Sequence, residues 1–200
     1  DKILRFEQPI DYEVVPGILI GVIDGDSTYR FAIGRDIDPD GIYELGSLTK
    51  PIVAWLANKA LVDKKLDRFA FVCTFLPDSL CTENWKNLTF DQVMEHKTGL
   101  MRLPPDIGQI ETDVRDPYRD YTIEKFANDL NALHPVPGRY NYSHIGYAMT
   151  HWLFESVGGL SQFTKNTLLP YAMTDTRWEY AEHEIEAGHG LDGRVQPPWN

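Results

Sequence analysis

The sequence predicts a mixed α/β fold in which an antiparallel pair of strands comes first and a helical body follows. Residues 17–23 are apolar and largely β-branched, residues 24–26 carry a turn signal, and residues 28–33 form a second strand-like run. From about Leu48 the apolar residues recur at helical spacing instead. A two-stranded hairpin is marginal by itself, so either further strands complete the sheet or the sequence stops short of the domain that it begins.

Local signals predict five helices after the hairpin, each from its apolar spacing or from a capping residue at its start. The first begins near Leu48, and the second runs from the Thr89–Gln92 capping box to Gly99. The third runs from Thr122 to about Leu130, the fourth spans Ile145–Val157, and the fifth begins at Ser161. The proline-rich, charged residues 102–120 predict a long surface loop. We expect one domain, with strands in residues 1–46, helices in residues 47–178 and a polar tail in residues 179–200.

Composition and charge exclude several classes of partner. The chain has 200 residues, of which 42% are hydrophobic and 24% charged, so it is large enough for one sizeable core. Its formal charge is −11, and it has no cluster of Lys and Arg, which argues against binding to nucleic acid or to an anionic membrane surface. No apolar run approaches the roughly 20 residues that span a bilayer.

The two cysteines, Cys73 and Cys81, leave two interpretations open. They either form a small-loop disulfide in an oxidising compartment or are separate buried thiols. Their separation and the lack of a CxxC spacing argue against a redox pair or a zinc site.

The stretch Ser47-Leu48-Thr49-Lys50 places a hydroxyl and an ammonium three residues apart at the start of a predicted helix. Residues at that spacing lie on one helix face, with about 5–6 Å between their Cβ atoms. A serine becomes nucleophilic when a base takes its proton, and a lysine can be that base or can tune one. The same four residues also fit a capping serine and a solvated lysine, because both residue types are common.

The wider sequence favours the first interpretation, because five segments in order resemble the serine β-lactamase-like family. This group contains class C β-lactamases, DD-peptidases and related esterases. The segments cover most of residues 43–178 and read ELGSLTKPIVAWL, LTFDQVMEHKTGLMRLP, DPYRDYT, PGRYNYSHIGYAMTHWLFESVGG and LLPYAMTDTRW. The resemblance implies an antiparallel sheet flanked by helices, of which this chain contains most of the helical region and an incomplete sheet.

The resemblance also implies roles for individual residues. Ser47 matches the acylated nucleophile, Lys50 the lysine beside it, and Tyr142 the tyrosine that exchanges protons with the nucleophile and the leaving group. An adjacent ammonium would lower the pKa of a tyrosine from its ordinary value near 10. Which of Lys50 and Tyr142 is the base stays open.

One departure from the family pattern concerns the substrate. His144 stands where the family usually has a substrate-binding asparagine, and an imidazole can also donate and accept hydrogen bonds. The alternative is that His144 serves as a capping or core residue.

Lys97-Thr98-Gly99 spells the third family motif, but it lies at a predicted helix end. We therefore interpret it as a structural C-cap and His96 as a structural residue. The resemblance implies that the true third motif follows Asn200.

The sequence thus predicts a serine hydrolase or acyltransferase that forms an acyl-enzyme on Ser47 with an ester, β-lactam or peptide-like amide. No metal or organic cofactor is implied. The alternative is a truncated or pseudoenzyme domain that binds a ligand or partner through the remnant cleft. A second chain or a missing C-terminal segment would complete the sheet. The resemblance implies a periplasmic or secreted protein, although esterase members can be cytoplasmic.

Overall fold

This computed structural model describes residues 17–34, 37–105, 107, 116–181, 184–189 and 193–198. The chain divides into two compact units. One unit is Leu45–Glu179, and the other combines the described parts of Asp1–Glu44 and Tyr180–Asn200. Helices and small antiparallel sheets occur together, which confirms the predicted α/β class. Parts of the predicted strand region (residues 1–16) and of the predicted surface loop (residues 106 and 108–115) lie outside the described residues.

The smaller unit contains the predicted hairpin. Strand β1 (Gly17–Asp24) pairs with strand β2 (Ser27–Gly34) in antiparallel register, with Asp24 opposite Ser27 at the turn. Gly25 has φ +58°, the left-handed conformation that a two-residue hairpin turn requires. Within the described residues this sheet has two strands, and a second small sheet pairs β3 (Gly188–His189) with β4 (Val195–Gln196).

The larger unit is helical. Its helices are α1 (Thr49–Asp63), α2 (Phe90–Met94), α3 (Ile123–Ala132), α4 (His144–Ala148), α5 (Thr150–Glu155) and α6 (Leu160–Leu168). Helix α1 is the central element, because it packs against both α5 and α6. Its Leu56, Ala57, Ala60 and Leu61 are fully buried. Full burial of a leucine contributes about 1.5–3 kcal/mol, so this face fixes the position of α1 within the unit.

Two of the predicted caps are present. The Thr89 side chain accepts from the Gln92 backbone N–H, and the Gln92 side chain accepts from the Thr89 N–H, which completes the capping box of α2. The Thr122 hydroxyl accepts from the Lys125 N–H at the start of α3. Each cap satisfies a backbone donor that a helix N-terminus leaves without an intrahelical partner.

Three predicted helix boundaries are wrong. Helix α2 ends at Met94 rather than Gly99, because His96 adopts the left-handed conformation (φ +57°) and turns the chain. The helix predicted over 145–157 consists of α4 and α5, which Met149 separates. The last helix begins at Leu160 after Gly159 (φ +89°), and the Ser161 hydroxyl donates to Glu179 instead of capping the helix.

Cys73 and Cys81 form a disulfide, with a Cα–Cα distance of 5.3 Å. The structure therefore decides between the two interpretations that the sequence left open. The bond closes a short loop that begins within the 3₁₀ turn formed by Val72–Thr74. The loop borders the core of the larger unit, in which Val72, Leu76 and Leu80 are buried.

We expect the change of both Cys73 and Cys81 to Ser to lower the free energy of unfolding by about 2–3 kcal/mol. The reason is that the unfolded chain regains the freedom of the closed loop. Thermal denaturation should show a decrease in Tm of roughly 5–10 °C. A reducing agent should destabilise the parent protein by a similar amount and leave the double variant unchanged. Equal Tm values for the parent and the variant would contradict a structural role for this bond.

Candidate active site

The predicted nucleophile lies at the entrance to α1. Residues Gly46–Leu48 form a 3₁₀ turn that leads directly into the helix, so Ser47 precedes its first residue and is exposed. Lys50 follows in the first turn and is half-buried. Pro51 also lies in that turn, where its missing N–H would have no intrahelical acceptor. The hydrophobic burial of α1 thereby fixes the backbone from which both side chains extend.

Tyr142 reaches the nucleophile from a different part of the larger unit. Its hydroxyl donates a hydrogen bond to Ser47 Oγ at 2.8 Å, although the two residues are 95 positions apart in the chain. Tyr142 lies two residues before α4, next to the N-cap residue Ser143. The structure thus brings the predicted nucleophile and the predicted proton-exchanging tyrosine into direct contact.

Two paired segments, residues 96–102 and residues 136–144, hold Tyr142 in place. Backbone hydrogen bonds join them along their lengths, including Val136 N–H to Thr98 O at 2.7 Å and His144 N–H to Arg102 O at 2.9 Å. Two side chains add to the pairing: Asn141 Nδ2 donates to Leu100 O, and the Ser143 hydroxyl donates to Met101 O. The support for Tyr142 is therefore a set of directional hydrogen bonds rather than a buried helix.

Two cations face the ring of Tyr142. Lys50 Nζ lies 5.1 Å from the ring centroid, and the guanidinium carbon of Arg102 lies at the same distance. Lys50 Nζ is also 5.9 Å from the ring of Tyr147. Ammonium and guanidinium groups at these distances are attracted to an aromatic ring and stabilise negative charge near it.

These neighbours decide the acidity of the Tyr142 phenol. Burial works to raise its pKa, but hydrogen bonds with Ser47 and Lys50 and the positive charges of Lys50 and Arg102 outweigh burial. The net result is a pKa below the ordinary value of 10.0. Tyr142 is thus easier to deprotonate than a free tyrosine, as the sequence led us to expect for a tyrosine beside an ammonium.

The site opens into a cleft with a volume of about 390 Å³. It is lined by Leu45, Ser47, Leu48, Lys50, Pro51, His96, Tyr142 and Tyr147. His96 and Tyr147 are additions to the set predicted from the sequence, and Tyr147 donates its hydroxyl to Met94 O at 2.8 Å. His96 was interpreted as structural because it lies at a helix end, and the sequence carries no signal that its ring faces the nucleophile.

His144 lies beside Tyr142 but is absent from the cleft lining. Its ring centroid is 5.6 Å from that of Tyr142, and its Nδ1 is 3.0 Å from the Tyr118 hydroxyl. Its Nε2 is buried and has no hydrogen-bond partner among the described residues. Burial, followed by the charges of Lys50, Arg102 and His96, lowers the pKa of His144 to about 4. Its role in substrate binding stays a prediction.

Lys97-Thr98-Gly99 lies in a turn of the larger unit and not on a strand, as we predicted. Gly99 is not the residue that ends the helix, because α2 ends at Met94 and His96 turns the chain. Lys97 does contribute to the C-cap, since its N–H donates to Gln92 O at 2.7 Å. Lys97 O accepts from the Gly138 N–H, and Gly99 donates to Arg139 O. Gly99 has φ +69°, and a Cβ atom there would lie 2.8 Å from the Val136 side chain. These residues therefore belong to the paired segments.

Comparison with known proteins identifies the family. The family model described as Beta-lactamase matches residues 5–200. The chain belongs to the Beta-lactamase family. A hydrolase of unguisins from Aspergillus campestris (strain IBT 28561) is 23% identical over 168 residues, which cover 76% of this chain and 31% of the relative.

Solved structures confirm the β-lactamase/transpeptidase fold. A class C β-lactamase in complex with cefoxitin is 20% identical, with a TM-score of 0.62, over 91% of this chain and 56% of that protein. A D-amino acid amidase from Ochrobactrum anthropi SV3 is 16% identical, with a TM-score of 0.66, over 86% of this chain and 51% of that protein. This Beta-lactamase-family chain therefore spans a little over half the length of these solved relatives, which is in accord with the incomplete sheet.

Two further features concern the described residues only. They contain no group of three or more His, Cys, Asp or Glu side chains that could hold a metal ion. They also contain no helix with the length and apolar character that a bilayer span requires.

We expect His144 to be neutral at pH 7 and to titrate near pH 4 when followed by the NMR resonances of its imidazole ring. The folded pKa is depressed, and the unfolded value is about 6.5. Unfolding therefore takes up a proton between about pH 6.5 and pH 4, and the free energy of unfolding falls as the pH decreases through that window. A His144→Asn variant should lack this component of the pH dependence. A ring that titrates at its ordinary value would contradict the buried environment described above.

Proposed function

We propose that this chain carries the acylation machinery of a serine hydrolase, with Ser47 as the nucleophile. The observation that supports it most directly is the 2.8 Å hydrogen bond between Tyr142 Oη and Ser47 Oγ, with Lys50 beside the same phenol. A nucleophile and base within hydrogen-bond reach, with the base oriented by a third group, is the arrangement that covalent catalysis requires. The family match and the helical entrance to α1 agree with this assignment.

In the proposed reaction, the Tyr142 phenolate accepts the Ser47 proton while Oγ forms a bond to the substrate carbonyl carbon. The carbonyl electron pair moves onto its oxygen, for which the positive end of α1 and the Ser47 N–H are suitable stabilisers. When the tetrahedral intermediate collapses, the bond to the leaving group breaks and Tyr142 returns the proton to it. Water then attacks the acyl carbon and gives one proton to the Tyr142 phenolate. As the Oγ–acyl bond breaks, Tyr142 passes that proton to Ser47 Oγ, which releases a carboxylic acid and regenerates Ser47 and the phenolate.

The electrostatics favour Tyr142 as the base and Lys50 as the residue that tunes it. The pKa of Tyr142 is lowered, and two of the causes are its contact with Lys50 and the charge of that ammonium. A charged Lys50 stabilises the phenolate before the proton moves, whereas a neutral Lys50 would remove that stabilisation. Proton transfer through Tyr142 therefore uses both residues without requiring Lys50 to lose its charge.

The proposed substrate contains an acyl group on an ester, a β-lactam or a peptide-like amide. The names of the relatives support the amide part of this range, since they include a complex with cefoxitin and an amidase of D-amino acids. The name of the relative that is a hydrolase of unguisins supports hydrolysis in general. We propose a periplasmic or secreted location, because the Cys73–Cys81 disulfide is typical of an oxidising compartment.

The test is the intact mass of the chain before and after incubation with an activated ester and, separately, with a penicillin. We expect a covalent adduct of one acyl group. Ser47→Ala should abolish the adduct, and Tyr142→Phe should slow its formation by about 10²–10⁴-fold, because general base catalysis contributes that much. Ser79→Ala is the matched control, since Ser79 is an exposed serine outside the cleft, and it should react as the parent does.

An adduct that persists in Ser47→Ala would show that another residue is acylated and would overturn the assignment. Absence of any adduct from a folded parent chain would favour the alternative, a non-catalytic domain that binds through its cleft. The reagent that reacts, and the lifetime of the adduct, would distinguish an esterase from an enzyme that recognises penicillin.

A further inference from the structure

His96 contacts both neighbours of Tyr142 in the chain. Its backbone carbonyl accepts from the Asn141 N–H at 2.9 Å, and its ring Nδ1 accepts from the Ser143 N–H at 3.1 Å. The backbone N–H groups of the residues before and after Tyr142 are therefore both bonded to one residue. His96 itself takes no part in the proton transfers of the proposed reaction.

The conformation of His96 makes this double contact possible. Its φ of +57° is in the left-handed region, which residues other than glycine adopt infrequently. The same turn ends α2 two residues earlier and directs the carbonyl and the ring of His96 toward residues 141–143. Backbone strain of this kind persists where surrounding contacts hold it in place, and it is concentrated at functional sites.

The ring of His96 is also held against the tyrosine that it supports. Its centroid lies 4.4 Å from that of Tyr142 and 5.0 Å from that of Tyr147, and the residue is half-buried. Because Nδ1 accepts a hydrogen bond, the ring is neutral with its proton on Nε2. Burial, followed by the charge of Lys50, lowers the pKa of His96 and keeps this neutral form dominant.

We infer that His96 is a positioning residue for Tyr142: its carbonyl and Nδ1 hold the backbone N–H groups of Asn141 and Ser143 so that the phenol meets Ser47. The inference rests on the proposed function, because the phenol is the proton carrier in that reaction. Tyr142 Oη is at the far end of a rigid ring, so a small change in backbone direction is magnified there. A misplacement of about 1 Å at a reacting group costs on the order of 10²-fold in rate.

Three variants separate this role from general support of the fold. His96→Gly keeps the left-handed backbone without strain but removes the acceptor and the ring. His96→Asn supplies Oδ1 at the same number of bonds from Cα as Nδ1, and asparagine tolerates the left-handed region. His134→Gly is the matched control, because His134 is an exposed loop histidine outside the cleft lining.

The first measurement is the rate of acylation by an activated ester as a function of ester concentration. We expect His96→Gly to lower the maximal rate by about 10–100-fold with little change in the concentration at half-maximal rate. His96→Asn should stay within about threefold of the parent, because it restores the acceptor. His134→Gly should be unchanged, and circular dichroism should show the same fold for all variants. If His96→Gly does not fold, His96→Phe replaces it, since it keeps an aromatic ring against Tyr142 and Tyr147 but also lacks the acceptor.

A parent-like rate in His96→Gly would overturn the inference, and so would a His96→Asn variant that is as slow as His96→Gly. If the parent chain itself is not acylated, the proposed function fails, and the pKa of Tyr142 then decides the inference. We would follow it by ¹³Cζ NMR of labelled tyrosines, with Tyr142→Phe for assignment. The pKa should rise toward the ordinary value in His96→Gly and stay lowered in His96→Asn. An unchanged pKa in His96→Gly would overturn the positioning role.

Discussion

The hydrogen bond between Ser47 and Tyr142 is the contact on which the candidate site depends, and its two ends are held by different forces. Ser47 is attached to α1, which is anchored by fully buried side chains such as Leu56 and Leu61. Hydrophobic burial is strong but has little directional preference, so it fixes a helix better than it aims a side chain. Tyr142 has no such helix beneath it, and the directional bonds of the paired segments set its orientation.

The charges at the site follow from the same arrangement. Lys50 and Arg102 both face Tyr142 in a chain whose formal net charge is −11. Burial and the charge of Lys50 lower the pKa of both His96 and His144, and Arg102 adds to the effect on His144, so neither imidazole adds a further positive charge at neutral pH. The Tyr142 phenol thus lies beside two cations, and its pKa is lowered. That is the electrostatic condition under which a tyrosine can exchange a proton with a serine.

Local signals allowed part of this structure to be predicted from the sequence. The hairpin depends on a turn around Gly25, and the caps of α2 and α3 depend on side chains that bond within three residues, so short stretches contain the necessary information. The placement of Ser47 before α1 was predictable for the same reason. The end of α2 was not, because histidine has no strong preference for the left-handed conformation that His96 adopts. Contacts with residues 141 and 143, more than 40 positions away, hold it there.

The location of the site within one unit separates two requirements of the proposed reaction. Ser47, Lys50 and Tyr142, together with His96, all belong to Leu45–Glu179, so their mutual geometry is set inside that unit. Proton transfer depends on this geometry alone. Recognition of the acyl group and of its leaving group depends on the walls of the cleft, and the chain spans 51–56% of the length of the solved relatives compared above. Acylation by a small activated ester therefore probes the proton-transfer machinery, whereas discrimination among substrates tests what surrounds it.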